Sequence, residues 1–233
     1  MPPHHPTVVL FDVDSTLLNS GGAGRRALVR TFGGRYDRPD AFEGISFAGR
    51  TDPWLFTTAL ETIGVPHDLR LLDALYLEYL EHLRDEVAAS PSYAILPGVE
   101  EVLPRVATLG GERLALGLGT GNMERGARIK LERGGLNRWF DFGGFGSDHR
   151  LRPELIRIGA SRGAARLGLP LAACRVVVVG DTPLDVAAAH AIGARCVAVA
   201  TGRHGAAELE EAGAEQVLAD LTGADVAELI LGL

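Results

Sequence analysis

Short apolar runs alternate with longer segments of helical spacing over most of this chain. The apolar runs cover residues 7–10, 114–118, 140–145, 175–179 and 196–200. Apolar positions recur at helical spacing in residues 99–109, 123–133, 154–167 and 184–192. Strands as continuously apolar as these are typical of a parallel sheet that is buried on both faces. The pattern predicts an α/β fold, in which helices cover both sides of a parallel sheet.

Residues 21–90 interrupt this alternation because they contain no strand-like run. The spacing of leucine, tyrosine and valine predicts helices over residues 23–32, 54–63 and 69–87. A Ser-Pro pair then closes the segment before the α/β pattern resumes. We therefore expect an α/β core formed by residues 1–20 and 91–233, with an inserted all-helical cap formed by residues 21–90.

Composition and charge narrow the range of functions. The 233 residues carry a formal charge of −7, which argues against a nucleic-acid partner because such a partner requires a basic face. No apolar run approaches the length of a membrane span, and the N-terminal sequence lacks the pattern of a secretory signal. Two cysteines, Cys174 and Cys196, are too few for a disulfide framework. We therefore expect a cytoplasmic protein without a membrane partner, and the sequence indicates no oligomeric state.

Two carboxylates stand where the first predicted strand ends. Asp12 and Asp14 follow the apolar run of residues 7–10 directly. Because side chains alternate along an extended chain, both carboxylates can point toward one spot. Two neighbouring buried anions require a cationic partner, and a divalent metal ion with oxygen ligands is the simplest one.

Two further polar motifs follow later strands. The turn that contains Thr120, Gly121 and Asn122 stands directly before a predicted helix, where a hydroxyl and free backbone N–H groups can bind phosphate. Asp181 and Asp185 follow the valine-rich strand of residues 175–179 and supply two more carboxylates. Ligands of open parallel sheets bind at the carboxyl ends of the strands, so these motifs are expected to meet at one edge.

The combined chemistry is that of phosphoryl transfer. Carboxylates, a hydroxyl, backbone donors and a basic pair, Arg150 and Arg152, are predicted to converge on one point. A carboxylate nucleophile, a metal ion that neutralises phosphate and a second carboxylate that moves protons together suffice for this reaction. A dinucleotide site at the glycine-rich turn is disfavoured, because no acidic residue ends a following strand at the distance that ribose recognition requires.

These motifs resemble those of the haloacid dehalogenase (HAD) superfamily, and most closely its phosphoglycolate-phosphatase-like branch. FDVDSTLLNS, a helical segment, LALGLGTGN, RPEL and VVVVGDTPLDV occur in that family's order and spacing. The likeness spans nearly the whole chain, and FDVDSTL together with VVVVGDTPLDV is its most specific part. It implies a Rossmann-like core with a helical cap, Mg²⁺ as cofactor and a small-molecule phosphate ester as substrate.

The resemblance also implies a role for each residue. Asp12 would be the nucleophile that forms an aspartyl phosphate, and Asp14 would be the general acid and base. The Asp12 carboxylate, the Asp14 backbone carbonyl and Asp181 would bind magnesium. Asp185 would bind the metal directly or support the site from behind, although it could also simply cap its helix. Thr120 would bind the transferring phosphoryl group.

The chain departs from the family pattern in two places. Serine stands at position 15, where the family usually has glycine. The lysine that the family usually provides before the penultimate α/β unit is absent. Arg152 is the preferred substitute because guanidinium binds phosphate through two N–H groups. The alternative is Lys130, which we expect to lie too far away for direct contact, about two turns into its helix.

Within the superfamily, residue types favour a phosphatase. A dehalogenase does not need Asp14, because a halide leaves without a proton. A hydrolase that forms a Schiff base needs a cap lysine, and residues 21–90 contain none. Gly121, Asn122 and a cap arginine, Arg50, are candidate substrate-binding residues. A phosphosugar mutase that uses the same core, or a catalytically silent binding protein, remains an alternative.

Overall fold

The computed structural model describes residues 5–233, so residues 1–4 of the expected core lie outside the described part. Six strands form one parallel sheet: β1 (Thr7–Phe11), β4 (Leu114–Thr120), β5 (Gly143–Phe145), β6 (Arg175–Gly180), β7 (Arg195–Val199) and β8 (Gln216–Leu218). Their spatial order is β5-β4-β1-β6-β7-β8. A short antiparallel pair, β2 (Leu18–Asn19) and β3 (Ala94–Ile95), stands apart from this sheet. The predicted α/β fold class is confirmed.

Helices connect these strands and pack on both faces of the sheet. In the core they are α4 (Val99–Gly110), α5 (Glu124–Arg133), α6 (Arg152–Arg166), α7 (Pro183–Ala191), α8 (Ala206–Glu211) and α9 (Val226–Leu231). Between β2 and β3 lie α1 (Ala23–Tyr36), α2 (Asp52–Thr62) and α3 (Leu69–Ala89). None of the helices in residues 5–233 combines the length and apolar character needed to cross a bilayer.

Alternation along the central strands explains why the sheet is buried on both sides. Val9 and Phe11 of β1 pack into one apolar cluster with side chains of α4, α5 and α9. Val8 and Leu10 of the same strand pack into a second cluster with side chains of α6 and α7. Because both faces are apolar, β1 lies at the centre of the sheet, between β4 and β6.

The inserted helices have an apolar cluster of their own. Phe32 lies against Phe42 with their ring centroids 4.9 Å apart, and Phe56 lies 5.6 Å from Tyr79 in an edge-to-face arrangement. These rings are almost fully buried together with leucines of α1, α2 and α3. The insertion therefore buries enough apolar surface to hold its helices together over the core.

The C-terminal elements α8, β8 and α9 are additional to the predicted pattern. The strand β8 has only three residues and lies at the sheet edge, where its side chains are partly exposed. The helices α8 and α9 have six residues each. Segments of three to six residues carry too few periodic apolar positions for the pattern to reveal them, even where the apolar side chains are buried, as in α9.

Candidate active site

Asp12 and Asp14 begin the loop that follows β1 at the carboxyl edge of the sheet. The backbone N–H of Asp12 donates to the Val179 carbonyl of the neighbouring strand at 2.8 Å, which fixes the nucleophile candidate in place. Its side chain is buried, and its carboxylate accepts a hydrogen bond from the Thr120 hydroxyl. The chain then turns sharply at Ser15.

Ser15 adopts a left-handed backbone conformation with φ of 61°. Its N–H donates to the Leu18 carbonyl at 2.8 Å, and its carbonyl accepts from the Thr201 hydroxyl at 2.5 Å. Residues with a Cβ adopt this conformation at a cost, which glycine avoids. Glycine would adopt this turn without that cost, and the two hydrogen bonds hold the serine in it.

The Asp14 carboxylate points toward helix α5 and not toward Asp12. Its Oδ2 atom accepts from Lys130 Nζ at 2.6 Å and from Asn122 Nδ2 at 2.8 Å. The same Asn122 Nδ2 donates to Thr120 Oγ1 at 2.9 Å. One hydrogen-bond network therefore joins the acid/base candidate to the phosphate-binding candidate.

Lys130 reaches the site, so the expectation that it lies too far away is wrong. Its helix begins at Glu124, so the backbone of Lys130 lies well inside the helix. A long helical side chain points back toward the helix N-terminus, and the lysine side chain therefore spans much of the distance to the site. Burial disfavours the charge of Lys130, yet the carboxylates of Asp14 and Asp52 more than offset this effect, and the pKa of the lysine is raised.

Arg152 stands at the start of α6 and binds two carboxylates at once. Its Nε donates to Asp185 Oδ1 at 2.9 Å, and its Nη2 lies 2.5 Å from the same atom and 3.1 Å from Asp12 Oδ1. Its Nη1 donates to the carbonyl of Gly49 in the cap at 3.2 Å. Burial opposes the charge of Arg152, but its carboxylate partners raise the pKa of this guanidinium overall.

Asp185 both caps α7 and orients Arg152. Its Oδ2 accepts from the backbone N–H of Thr182 at 3.1 Å and from the Thr182 hydroxyl at 2.6 Å, which completes a capping box. Its Oδ1 is the atom that Arg152 binds. Since both oxygens already accept hydrogen bonds, the geometry favours a supporting role for Asp185 over direct metal ligation.

Three carboxylates cluster at this edge, and the two that do not cap a helix, Asp12 and Asp181, could hold a divalent cation. Oxygen atoms of Asp12, Asp181 and Asp185 lie within 4.8 Å of one another, and the Asp14 carboxylate is not part of this group. Burial, opposed in part by Arg152, raises the pKa of Asp12 to about 6. Burial and the neighbouring carboxylates raise the pKa of Asp181 to about 9. Crowded, buried oxygen ligands that resist ionisation fit a hard cation such as Mg²⁺.

This crowding predicts a pH-dependent response to magnesium. Because Asp12 and Asp181 bind protons more tightly in the folded chain than in the unfolded chain, stability without metal should fall as pH rises from about 4 to about 9. Magnesium binds the ionised carboxylates, so it should raise Tm by several degrees more at about pH 8.5 than at about pH 6. Thermal melts with EDTA or Mg²⁺ measure this difference.

Asp181→Asn is the matched control for these melts, since its amide stays neutral at every pH. Its Tm should depend less on pH, and its response to magnesium should largely disappear. An equal magnesium increment at both pH values in the unmodified chain would contradict the assignment of the acidic group.

A cavity of about 350 Å³ lies between the sheet edge and the cap. It is lined by the following residues that the sequence singled out: Asp12, Asp14, Arg50, Thr120, Gly121, Asn122, Lys130, Arg152 and Asp181. Asp185 lies behind this lining, fully buried. Arg50 is exposed, with its guanidinium 4.3 Å from the centroid of the Trp54 ring. The structure therefore brings the candidate residues together around one space.

The cap contacts the core through a segment that sequence reasoning noted only for Arg50. The N–H of Asp52 donates to the Gly121 carbonyl at 2.8 Å, and its Oδ2 accepts from the N–H of Met123 at 2.8 Å. A side chain on Gly121 would place its Cβ 2.4 Å from the Arg50 carbonyl, so glycine permits this close approach. Burial raises the pKa of Asp52 to about 6, against the effect of Lys130.

Asp52 is not among the predicted site residues, and its local sequence has an ordinary explanation. Thr51-Asp52-Pro53 is a typical helix start, and the Thr51 hydroxyl does accept from the Trp54 N–H at 3.3 Å. That explanation accounts for the threonine and the proline. The burial of Asp52 against a second helix depends on the docking of the cap, which local sequence does not encode.

The fold and the site define a class: an α/β protein with carboxylates at the carboxyl edge of a parallel sheet beneath a helical cap. The family model for haloacid dehalogenase-like hydrolases matches residues 9–190, and a model described as HAD-hydrolase-like matches residues 159–224. The chain belongs to the haloacid dehalogenase-like hydrolase family. No curated protein matches it.

Solved structures share the fold along almost the whole chain. A predicted phosphatase from Clostridium acetobutylicum has a TM-score of 0.64 at 18% identity and covers 98% of this chain and 100% of its own. CbbY from Rhodobacter sphaeroides, in complex with phosphate, has a TM-score of 0.65 at 22% identity, covering 95% of both chains. A provisionally named beta-phosphoglucomutase from Thermotoga maritima has a TM-score of 0.62 at 21% identity, covering 97% and 99%. At these identities the likeness establishes the fold alone.

Proposed function

We propose that this chain is a magnesium-dependent phosphatase that hydrolyses a small phosphate monoester through an aspartyl phosphate on Asp12. One observation carries the proposal. The buried Asp12 carboxylate lies against the Arg152 guanidinium and the Thr120 hydroxyl, at the floor of a cavity of about 350 Å³. A carboxylate nucleophile with a fixed cation and a hydroxyl donor beside it is the arrangement that phosphoryl transfer requires.

The first half of the reaction transfers the phosphoryl group to the enzyme. A carboxylate oxygen of Asp12 forms a bond to phosphorus while the ester P–O bond breaks. Asp14 donates a proton to the leaving oxygen, and Thr120 and Arg152 hold the oxygens of the phosphoryl group. Magnesium bound by Asp12, Asp181 and the Asp14 carbonyl would neutralise phosphate charge.

The second half returns the enzyme to its starting state. Asp14, now ionised, takes a proton from a water molecule that attacks the phosphorus of the aspartyl phosphate. The bond from phosphorus to Asp12 breaks, its electron pair returns to the carboxylate, and inorganic phosphate leaves. Asp14 therefore carries the same proton-transfer role in both directions.

The cap limits which substrates reach this chemistry. We propose that residues 21–90 act as one cap domain over a core of residues 1–20 and 91–233. The contacts of Gly49 with Arg152 and of Asp52 with Met123 would exclude bulk water during transfer. Three arginines at the cavity, Arg25, Arg50 and Arg203, are exposed and available to an anionic substrate.

A panel of small phosphate monoesters tests the proposal. The purified chain should release inorganic phosphate from at least one of them with Mg²⁺, and EDTA should abolish the release. To test the mutase alternative, the same panel includes a sugar monophosphate together with the corresponding sugar bisphosphate. Isomerisation of the sugar phosphate without net phosphate release would replace the phosphatase with a phosphosugar mutase. Folded protein that binds magnesium and turns over nothing would indicate a silent binding protein.

A further inference from the structure

Lys130 is the chain's only lysine, and its ammonium group is buried at the inner wall of the cavity. The residue is 4% exposed. Its Nζ lies 2.6 Å from Asp14 Oδ2 and 2.6 Å from Asn122 Oδ1. A lysine with two hydrogen bonds at these distances has a fixed ammonium position and little rotational freedom.

Lys130 and Asn122 bind the same oxygen of Asp14. Asn122 Nδ2 donates to Oδ2 at 2.8 Å, and Asn122 Oδ1 accepts from Lys130, so the three side chains form a closed triangle. Among residues 5–233 no hydrogen bond to the Asp14 Oδ1 atom is found. The Asp14 side chain is still 40% exposed and lines the cavity. One oxygen is thus held in place, while the other remains accessible.

We propose that Lys130 is a positioning residue for Asp14: by holding Oδ2, it presents Oδ1 to the leaving-group oxygen. The inference rests on the proposed phosphatase function and assigns the proton to a particular atom. As the ester P–O bond breaks, its electron pair stays on the leaving oxygen, which takes the proton from Oδ1. Without the ammonium, the terminal torsion of Asp14 is broad and the carboxyl group occupies several orientations.

A direct role for Lys130 on the phosphoryl group fits the contacts less well. Two of its three N–H groups are already used by Asp14 and Asn122. Arg152 occupies the cationic position beside Asp12, with its Nη2 3.1 Å from Asp12 Oδ1. Lys130 therefore acts on the reaction through Asp14.

The test compares leaving groups, because proton donation matters only when the leaving oxygen is basic. Lys130→Met, Asp14→Asn and the double variant are assayed with 4-nitrophenyl phosphate and with glycerol phosphate. The quantity is kcat/KM, which reports events up to the departure of the leaving group. Lys130→Met should lose about 100-fold or more on glycerol phosphate and less than about 10-fold on 4-nitrophenyl phosphate. On glycerol phosphate the double variant should be no slower than Asp14→Asn.

Equal losses on both substrates, or losses that multiply in the double variant, would overturn the positioning role. Thermal melts check folding. If Lys130→Met does not fold, Asn122→Ala removes the other donor to Oδ2 and should show the same leaving-group dependence to a smaller degree. If Asn122→Ala showed no leaving-group dependence, the inference would also be overturned. Failure of the phosphatase proposal would look different, because the unmodified chain would release no phosphate from either ester.

Discussion

Replacing Asp12 by asparagine should abolish phosphate release, with a loss of about 10⁴-fold or more in kcat. The amide cannot form the acyl phosphate, and neither Thr120 nor Arg152 can replace it as nucleophile. Acid-quenched intact-mass measurement should find a phosphorylated form of the unmodified chain during turnover and none for Asp12→Asn.

The Asp12→Asn variant should nevertheless fold at least as well as the original chain. Asp12 is buried beside two further carboxylates, and burial raises its pKa to about 6, so loss of its charge relieves repulsion. Asp141→Asn is a matched control, because that carboxylate is exposed and pairs with Arg166 away from the cavity. It should keep full activity. More than about 1% residual turnover in Asp12→Asn would exclude it as nucleophile.

The parallel sheet could be predicted from sequence because its central strands carry a strong local signal. The valines of β6 and the apolar residues of β1 are mostly buried on both faces, and such strands are typical of a parallel sheet between helices. The location of the acidic motifs could also be predicted, because each motif follows a strand and the carboxyl ends of parallel strands share one edge of the sheet. For Asp12, Thr120 and Asp181, topology alone was sufficient.

Side-chain partners within the site could not be predicted in the same way. Side-chain alternation indicates that Asp12 and Asp14 can point toward one spot, yet the Asp14 carboxylate binds Lys130 at 2.6 Å. The direction of that carboxylate depends on the left-handed turn at Ser15 and on the packing of α5, both of which are three-dimensional properties. Long side chains add a further difficulty, because residue spacing along a helix does not give the position of a terminal ammonium.

Asp185 illustrates how one residue can satisfy two sequence interpretations together. The alternatives were a helix cap and a part of the site. Its Oδ2 binds Thr182 as a cap, while its Oδ1 binds Arg152. Each carboxylate has two oxygens, so residue type alone cannot separate these roles.

Replacing Arg152 by methionine should damage stability and catalysis together. The change leaves Asp185 and Asp12 buried without their cation, which costs about 3–5 kcal/mol in comparable buried pairs. For a domain of this size that corresponds to a fall in Tm of roughly 10 °C. The loss of a fixed cation on the phosphoryl oxygens should lower kcat/KM by about 10³-fold. Thermal melts in EDTA and phosphate-release assays measure the two effects.

Arg152→Lys separates charge from geometry at the same position. A lysine keeps the cation that Asp12 and Asp185 require, so most of the stability should return. It cannot make the paired contacts to Asp185 and also reach the Gly49 carbonyl, which Arg152 Nη1 binds at 3.2 Å. The variant should therefore retain partial activity, with KM raised because the cap contact is lost. Full activity in Arg152→Met would assign the phosphate-stabilising role to another cation, and Lys130, whose Nζ lies 2.6 Å from Asp14 Oδ2, would be the candidate.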